Sequence, residues 1–393
     1  MVRACVVREH YIPQDSRVDR EVSALAAYGH QVDVICLRAE GQPWRERRPG
    51  VTVWRVPLRH SRGRRRLRYV AEYVGFFGLA CGFVTLLHAC RRYRLVQVNS
   101  LPDALVFAAA VPRLFGARIL LDLQECMPEF FATKFGVPLD HPVVRLIGRV
   151  EQASIRFADL VITPTRQMRD AFVARGAVPE KITVVMDGAD EDVFRWTDPA
   201  PAGGTFTLVS HGTVEEHYGL ATVVEAVALL REEIPGLRFA VYGDGSHLPR
   251  LRELATELGV ADLVGFSGGF VPVDELVRAI AAADVGVVAM RRDAFRDVTL
   301  AGKMFDFIAV GRPVLSSRTR SVEEAFDPSC VELFESGDAR DLARAIRRLY
   351  GDPARRAGMA RRAAEVARGY QWSAQREVYR DVVGRILNGT GNA

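Results

Sequence analysis

The chain has 393 residues, 49% hydrophobic and 26% charged, with a formal net charge of +5. That balance excludes disordered and fibrous classes, and the length calls for two domains with separate cores. Charge is uneven, because Arg59, Arg62, Arg64, Arg65, Arg66 and Arg68 fall within ten residues. Such a run suits anionic lipid headgroups, nucleic acid or simple solvation.

Cys5, Cys36, Cys81, Cys90, Cys126 and Cys330 are scattered, with neither CxxC nor Cys/His ligand spacing. They are expected to be reduced thiols of a cytoplasmic chain, with no metal ligands among them. The first apolar run, at 4–7, reads as a strand and not as the core of a secretory leader.

In chain order, strands are expected at 4–7, 31–37, 51–56, 95–98, 118–123, 160–163 and 182–185, with helices between most of them. Residues 73–87 form an uncharged run of fifteen. This is short of the roughly eighteen needed to span a bilayer, so it reads as an interfacial or a buried helix. The Pro/Gly stretch 198–204 ends this half. Beyond it, strands are expected at 206–210, 237–242, 264–266, 285–289, 313–316 and 331–334. Helices are expected at 221–233, 248–258, 273–283 and 339–350, and after Pro353 and Trp372. The alternation predicts a doubly wound α/β fold, built twice, with ligands at the carboxyl ends of the strands.

Three turns in the second half carry phosphate-binding character. The first strand leads into His-Gly-Thr-Val-Glu-Glu-His-Tyr-Gly at 211–219, and the second into Gly243, Asp244 and Gly245. Glycines there let backbone amides approach an anion, although plain βα turns look the same. The third is Thr299-Leu300-Ala301-Gly302-Lys303, opening a helix in which Asp306 follows Lys303 by one turn. A cation in the first turn of a helix is unfavourable unless an anion lies beside it. Asp306 could accept hydrogen bonds from ribose hydroxyls.

Taken together, these segments resemble the family 4 retaining glycosyltransferases of GT-B fold, closest to the branch that builds capsule, O-antigen and exopolysaccharide. The resemblance rests on the glycine turn after Phe206–His211, Gly243-Asp-Gly, Asp284-Val-Gly-Val-Val and Phe305-Asp-Phe-Ile-Ala-Val-Gly-Arg-Pro-Val-Leu. In the first half it rests on Asp187-Gly-Ala-Asp and on Glu151 with Ala158-Asp-Leu-Val-Ile-Thr. It implies two Rossmann-like domains facing a central cleft. An acceptor domain would span 1–197, a nucleotide-sugar domain 203–370, and a helix at 371–393 would pack back toward the first domain.

The resemblance further implies a nucleotide diphosphate sugar as co-substrate, a UDP-sugar foremost, with no cofactor and no metal. The Asp190-Glu191-Asp192 triplet lacks the context of a metal-binding DxD. Donor contacts are expected from Gly212, Thr213, His217, Gly243, Asp244, Gly245, Phe270, Thr299, Leu300, Gly302, Lys303 and Asp306. The family's first donor carboxylate falls at Val298, so Asp297 is the substitute, and the family's two diphosphate cations fall at Thr213 and Tyr218, which leaves the charge to Lys303. Gln124 stands where a His is usual, with Glu125 beside it; Asp15, Arg17 and Arg20 are the acceptor candidates. A lipid-linked or small-molecule acceptor and a peripheral place on the inner face of the cytoplasmic membrane are expected, with no nucleic acid. A catalytically degenerate binding protein and a nucleotide-sugar epimerase are the alternatives.

Overall fold

The short apolar runs become strands, whereas the long ones at 73–87 and 220–230 become helices. The structure is a computed structural model that describes residues 1–58, 66–198, 204–269 and 271–389. It divides into two units, residues 1–186 with 376–393, and residues 187–375.

Unit 1 runs β1 (Arg3–Tyr11), α1 (Ser16–Ala27), β2 (Gln31–Leu37), β3 (Arg45–Arg48), β4 (Val51–Val56), α2 (Arg66–Arg91), β5 (Leu95–Asn99), α3 (Ala110–Leu114), β6 (Arg118–Asp122), α4 (Met127–Phe135), α5 (Pro142–Phe157), β7 (Leu160–Thr163), α6 (Arg166–Ala174) and β8 (Ile182–Val184). The strands form one sheet in the order β3-β4-β2-β1-β5-β6-β7-β8. The order reverses between β1 and β5, which opens a crevice at their carboxyl ends. Val6, Val34, Val96 and Leu120 are fully buried in the middle of the sheet.

β3 is the strand that the hydrophobic pattern does not announce. It reads Arg-Glu-Arg-Arg and pairs antiparallel with β4 at the sheet edge. Side-chain pairing holds it there: Glu46 receives the buried Arg55 at 2.6 Å, and the Arg45 guanidinium stands 4.4 Å over the Trp54 ring. Charge on an edge strand also discourages pairing with other chains.

Unit 2 runs β9 (Phe206–His211), α7 (Leu220–Leu230), β10 (Leu237–Tyr242), α8 (Leu248–Glu257), β11 (Val264–Phe266), α9 (Val273–Ala282), β12 (Val285–Val288), α10 (Gly302–Ala309), β13 (Val314–Ser317), α11 (Arg320–Ala325), β14 (Val331–Phe334), α12 (Ala339–Gly351) and α13 (Pro353–Ala367). Its sheet is parallel throughout, in the order β11-β10-β9-β12-β13-β14. The switch point falls between β9 and β12. Leu208, Val223, Val227, Val287 and Ile346 anchor its core.

The unit boundary precedes the Pro/Gly stretch. Residues 187–197 belong to unit 2, because Ala189 accepts from the Trp372 amide at 3.3 Å, Thr197 donates to the Val310 carbonyl, and Trp196 packs on Gly311. Composition marks a loop, whereas contacts set the boundary. Helix α14 (Trp372–Asn388) leaves unit 2 and from residue 376 packs within unit 1. There Tyr379 donates to Gln97 at 2.5 Å, and Val382, Val383 and Ile386 are buried.

Candidate active site

The site in unit 2 begins with two turns packed backbone to backbone. Gly212 and Tyr242 are joined by a 2.9 Å amide hydrogen bond, as are Val214 and Asp244. A Cβ on Gly243 would lie 1.9 Å from the Gly212 carbonyl oxygen, and one on Gly245 would lie 2.1 Å from that of Val214. The glycines expected to approach phosphate are therefore required first by each other, and this holds the Gly212–Thr213 turn at the end of β9. The Asp244 carboxylate accepts from the Gly245 amide at 2.8 Å and so serves its own loop. Thr213 is exposed at the turn.

Helix α10 enters beside that turn. The Lys303 ammonium lies 3.6 Å from the position a Cβ on Gly212 would take and 4.6 Å from the centre of the Tyr218 ring. The Arg296 guanidinium stands 5.5 Å from the same ring and 4.7 Å from that of Phe295. Arg296 is 9% exposed and its Nε has no hydrogen-bond partner. Among the described residues neither cation makes an ion pair. Burial pulls the Lys303 pKa down to about 8, with Asp306 opposing the shift and Arg296 adding to it. Two cations around one aromatic ring, with Asp306 as the nearby carboxylate, form a site able to receive an anion.

Asp306 faces the same place. Its Oδ2 lies 3.4 Å from Nε2 of His211, whose ring stands edge-on to Phe307 at 5.1 Å. Burial first, and Lys303 second, drive the His211 pKa down to about 3, so its imidazole is neutral. His217 is half-buried, its ring lies 4.6 Å from that of Tyr218 at a tilt of 37°, and its pKa is lowered by burial and then by Arg296.

Asp297 is engaged within its own loop. Its two oxygens accept from Arg292 Nε at 3.0 and 3.2 Å, and Oδ1 also accepts from the Arg320 amide at the start of α11. It braces the loop that carries Arg296, and the adjacent Val298 is buried. The Thr299 hydroxyl donates to Phe295, Leu300 is half-buried, and Gly302 is exposed at the start of α10 with open space around it. Phe270, most of the arginine-rich run 59–68 and most of the 198–204 stretch lie outside the described residues.

At the corresponding edge of unit 1, the expected acceptor residues are largely committed to one another. Arg17 is buried; it donates to both oxygens of Asp122 at 3.0 and 3.1 Å and to the Val185 carbonyl at 2.9 Å, and it pairs with Glu21 at 3.3 Å. It is thus not available to an acceptor phosphate. Asp15 caps α1 by accepting from the Val18 amide and also holds Arg8 at 2.7 Å. The Gln124 side chain donates to Asp122 at 2.8 Å, while its backbone N–H donates to the Ser100 hydroxyl oxygen at 3.0 Å. Asn99 and Gln97 complete the network, both donating to Glu21. Burial, then the Asp122 charge, push the Glu21 pKa well up. Arg20 and Glu125 are half-buried.

Two residues of this site, Arg296 and His211, were not expected from the sequence. The signal for Arg296 was the set Arg291, Arg292 and Arg296 directly before Asp297. None of the three falls at a position where the resemblance places a cation. No group of three or more His, Cys, Asp or Glu among the described residues is placed to hold a metal ion.

Two Rossmann-like units, one of them with a cation-lined turn at its switch point, define the GT-B class of glycosyltransferases. Residues 15–188 match the model of the glycosyl transferase 4-like domain and residues 205–352 that of the glycosyl transferases group 1. The chain belongs to this family, the family 4 glycosyltransferases. It is 30% identical over 256 residues to a D-inositol 3-phosphate glycosyltransferase of Thermomonospora curvata, a match that takes in 59% of this chain and 58% of that relative. It is 27% identical over 320 residues to WcaI of Escherichia coli K12, a putative colanic acid biosynthesis glycosyl transferase, covering 74% of this chain and 76% of the relative. The fold is that of sucrose-phosphate synthase from Thermosynechococcus elongatus, with a TM-score of 0.78 at 20% identity, over 99% of this chain and all of the other.

Proposed function

We propose that the chain transfers a sugar from a nucleoside diphosphate donor to an acceptor, with retention at the anomeric carbon and without a metal. The observation that carries this reading is the pair Lys303 and Arg296, two cations that make no ion pair among the described residues and stand around Tyr218 beside the Gly212 turn. A donor diphosphate supplies the missing charge. In the transfer, the bond from the anomeric carbon to the β-phosphate oxygen breaks, and a bond to the acceptor oxygen forms on the same face. The acceptor proton passes to the departing diphosphate. Lys303, Arg296 and the first amides of α10 stabilise that leaving group, an electrostatic contribution typically worth several kcal/mol, about 3 for a single oxyanion donor. Asp306 takes the ribose hydroxyls, and unit 1 is assigned the acceptor. The colanic acid relative supports a role in assembling a cell-surface polysaccharide or glycolipid.

The test is a thermal-shift panel of nucleotide sugars, UDP-sugars first and GDP-sugars second, followed by turnover with lipid-linked acceptors in the presence of a chelator. Stabilisation by one donor and product of unchanged anomeric configuration support the proposal. Donor consumed without any acceptor would instead indicate an epimerase. Donor bound and never consumed would indicate a binding protein, a reading for which Val298 in place of the family carboxylate gives some ground.

A further inference from the structure

From Tyr73 to Leu87 helix α2 carries no charged side chain on any face, a pattern unusual for a helix against water. Its residues Glu72–Arg91 have a mean hydropathy of 1.7, enough by length and composition to cross a membrane, yet only 22% of that window is buried. This revises the expectation from the fifteen-residue run alone. The inner stripe is Phe76, Ala80 and Val84, fully buried, with His88 below them. These residues sit at i, i+4 spacing and pack the helix against unit 1 from Phe76 to His88.

The outer arc is Val74, Gly78, Leu79, Gly82, Leu86, Ala89 and Cys90, all exposed and none of them polar or charged. Leu86 is 71% exposed. Beside the carboxyl-terminal end of α2, at the end of α3, Leu114 and Phe115 are 84% and 76% exposed, and the Phe115 ring lies 6.1 Å from that of His88. Scattered exposed apolar residues need no explanation, but a continuous apolar face on a long helix does. Its ends are basic: the exposed Arg92 and Arg94 follow the helix, and the arginine-rich run 59–68 precedes and opens it in the sequence.

We infer that α2, with Leu114 and Phe115, is a membrane-docking face that lies in the plane of an anionic bilayer. The apolar arc enters the boundary between headgroups and acyl chains, and arginines at both ends meet anionic lipid. The charge decides this occupant over a second copy of the chain, whose identical basic ends would repel across a symmetric interface when the helices pack parallel. This face lies in unit 1 and stands or falls independently of the donor site in unit 2.

The full chain is to be sedimented with vesicles of phosphatidylcholine alone and with vesicles containing about one quarter phosphatidylglycerol. The wild type is expected to pellet with the anionic vesicles. The Leu86→Glu/Phe115→Glu variant is expected to partition at least about tenfold less, with an unchanged circular dichroism spectrum. A Phe115→Trp variant, which keeps the face apolar, is expected to show a blue-shifted emission on the same vesicles. The docking face is overturned if the wild type stays in the supernatant, if the double variant pellets as well as the wild type, or if the emission of the Phe115→Trp variant does not move. It is also overturned if light scattering shows a dimer that the double variant dissolves while neither protein pellets.

Discussion

The Lys303 ammonium stands 4.6 Å from the centre of the Tyr218 ring. The resemblance places a family cation at Tyr218; here the ring instead stands beside the cations of Lys303 and Arg296. A cation over an aromatic face is stabilised by about 0.5–2 kcal/mol, too little to offset the burial of Lys303 beside Arg296. Asp306 offsets part of that cost, and the donor diphosphate of the proposed function would offset more.

The lowered pKa of Lys303 has a kinetic consequence. With its pKa near 8 in the free protein, the ammonium is fully charged at pH 6.5 and is progressively lost above pH 8. Donor kcat/KM should therefore fall through this range, and Lys303→Arg, which stays charged, should flatten the decline. The sign for stability is opposite. The unfolded chain binds this proton more tightly, with an ordinary value of 10.5, so the ligand-free protein gains stability from this group as pH rises from about 8 to 10.5. A saturating nucleoside diphosphate should suppress that gain, measurable as the melting temperature against pH.

The glycines of the site divide by the space around them. Gly243 has φ 147 and meets the Gly212 carbonyl, so Gly243→Ala should cost about 2 kcal/mol or more and displace the Gly212 turn. Gly302 has open space and starts a helix, so Gly302→Ala should leave the stability within about 1 kcal/mol of the wild type. Urea denaturation of both variants separates a backbone requirement from a loosely placed residue.

Asp297 and Asp306 should separate in the same manner. Asp297 holds Arg292 and the start of α11, so Asp297→Ala should lower stability by about 1–2 kcal/mol, and donor KM should change only through the loop. Asp306→Ala should raise donor KM by about tenfold or more at nearly unchanged stability. Equal donor effects in the two variants would return Asp297 to the sugar.

In unit 1, Glu21 is the group that should set a pH dependence of stability. Its folded pKa is raised, so the stability it contributes is complete below the ordinary carboxylate range and declines as pH rises through the raised value. Glu21→Gln keeps a neutral side chain of the same shape and should remove that decline. Chemical denaturation at pH 5 and pH 8.5 measures it.

The strands were legible because each is an apolar run between turn signals, and β2 (Gln31–Leu37), β4 (Val51–Val56) and β10 (Leu237–Tyr242) fall where the pattern places them. β3 was not legible, since Arg-Glu-Arg-Arg owes its pairing to side chains of other strands. The turns of the donor site could be read from their glycines. The guanidinium that completes the site could not, because its position depends on how the loop from 289 to 301 folds over Tyr218. Arg17 is an acceptor candidate by its place after the first strand, but its neutralising partner Asp122 is 105 residues away and leaves no local signal. A local pattern records burial and turns, but not long-range pairing of charge.

The central claim is that Lys303 and Arg296 jointly hold the donor diphosphate. The direct measurement is a double-mutant cycle on nucleoside diphosphate affinity by calorimetry, with Lys303→Ala, Arg296→Ala and both together. Each single variant should weaken binding by about tenfold or more, and the double variant should fall short of the sum because the two cations share one ligand. Unchanged affinity in Arg296→Ala, with Lys303→Ala also near the wild type, would contradict the account.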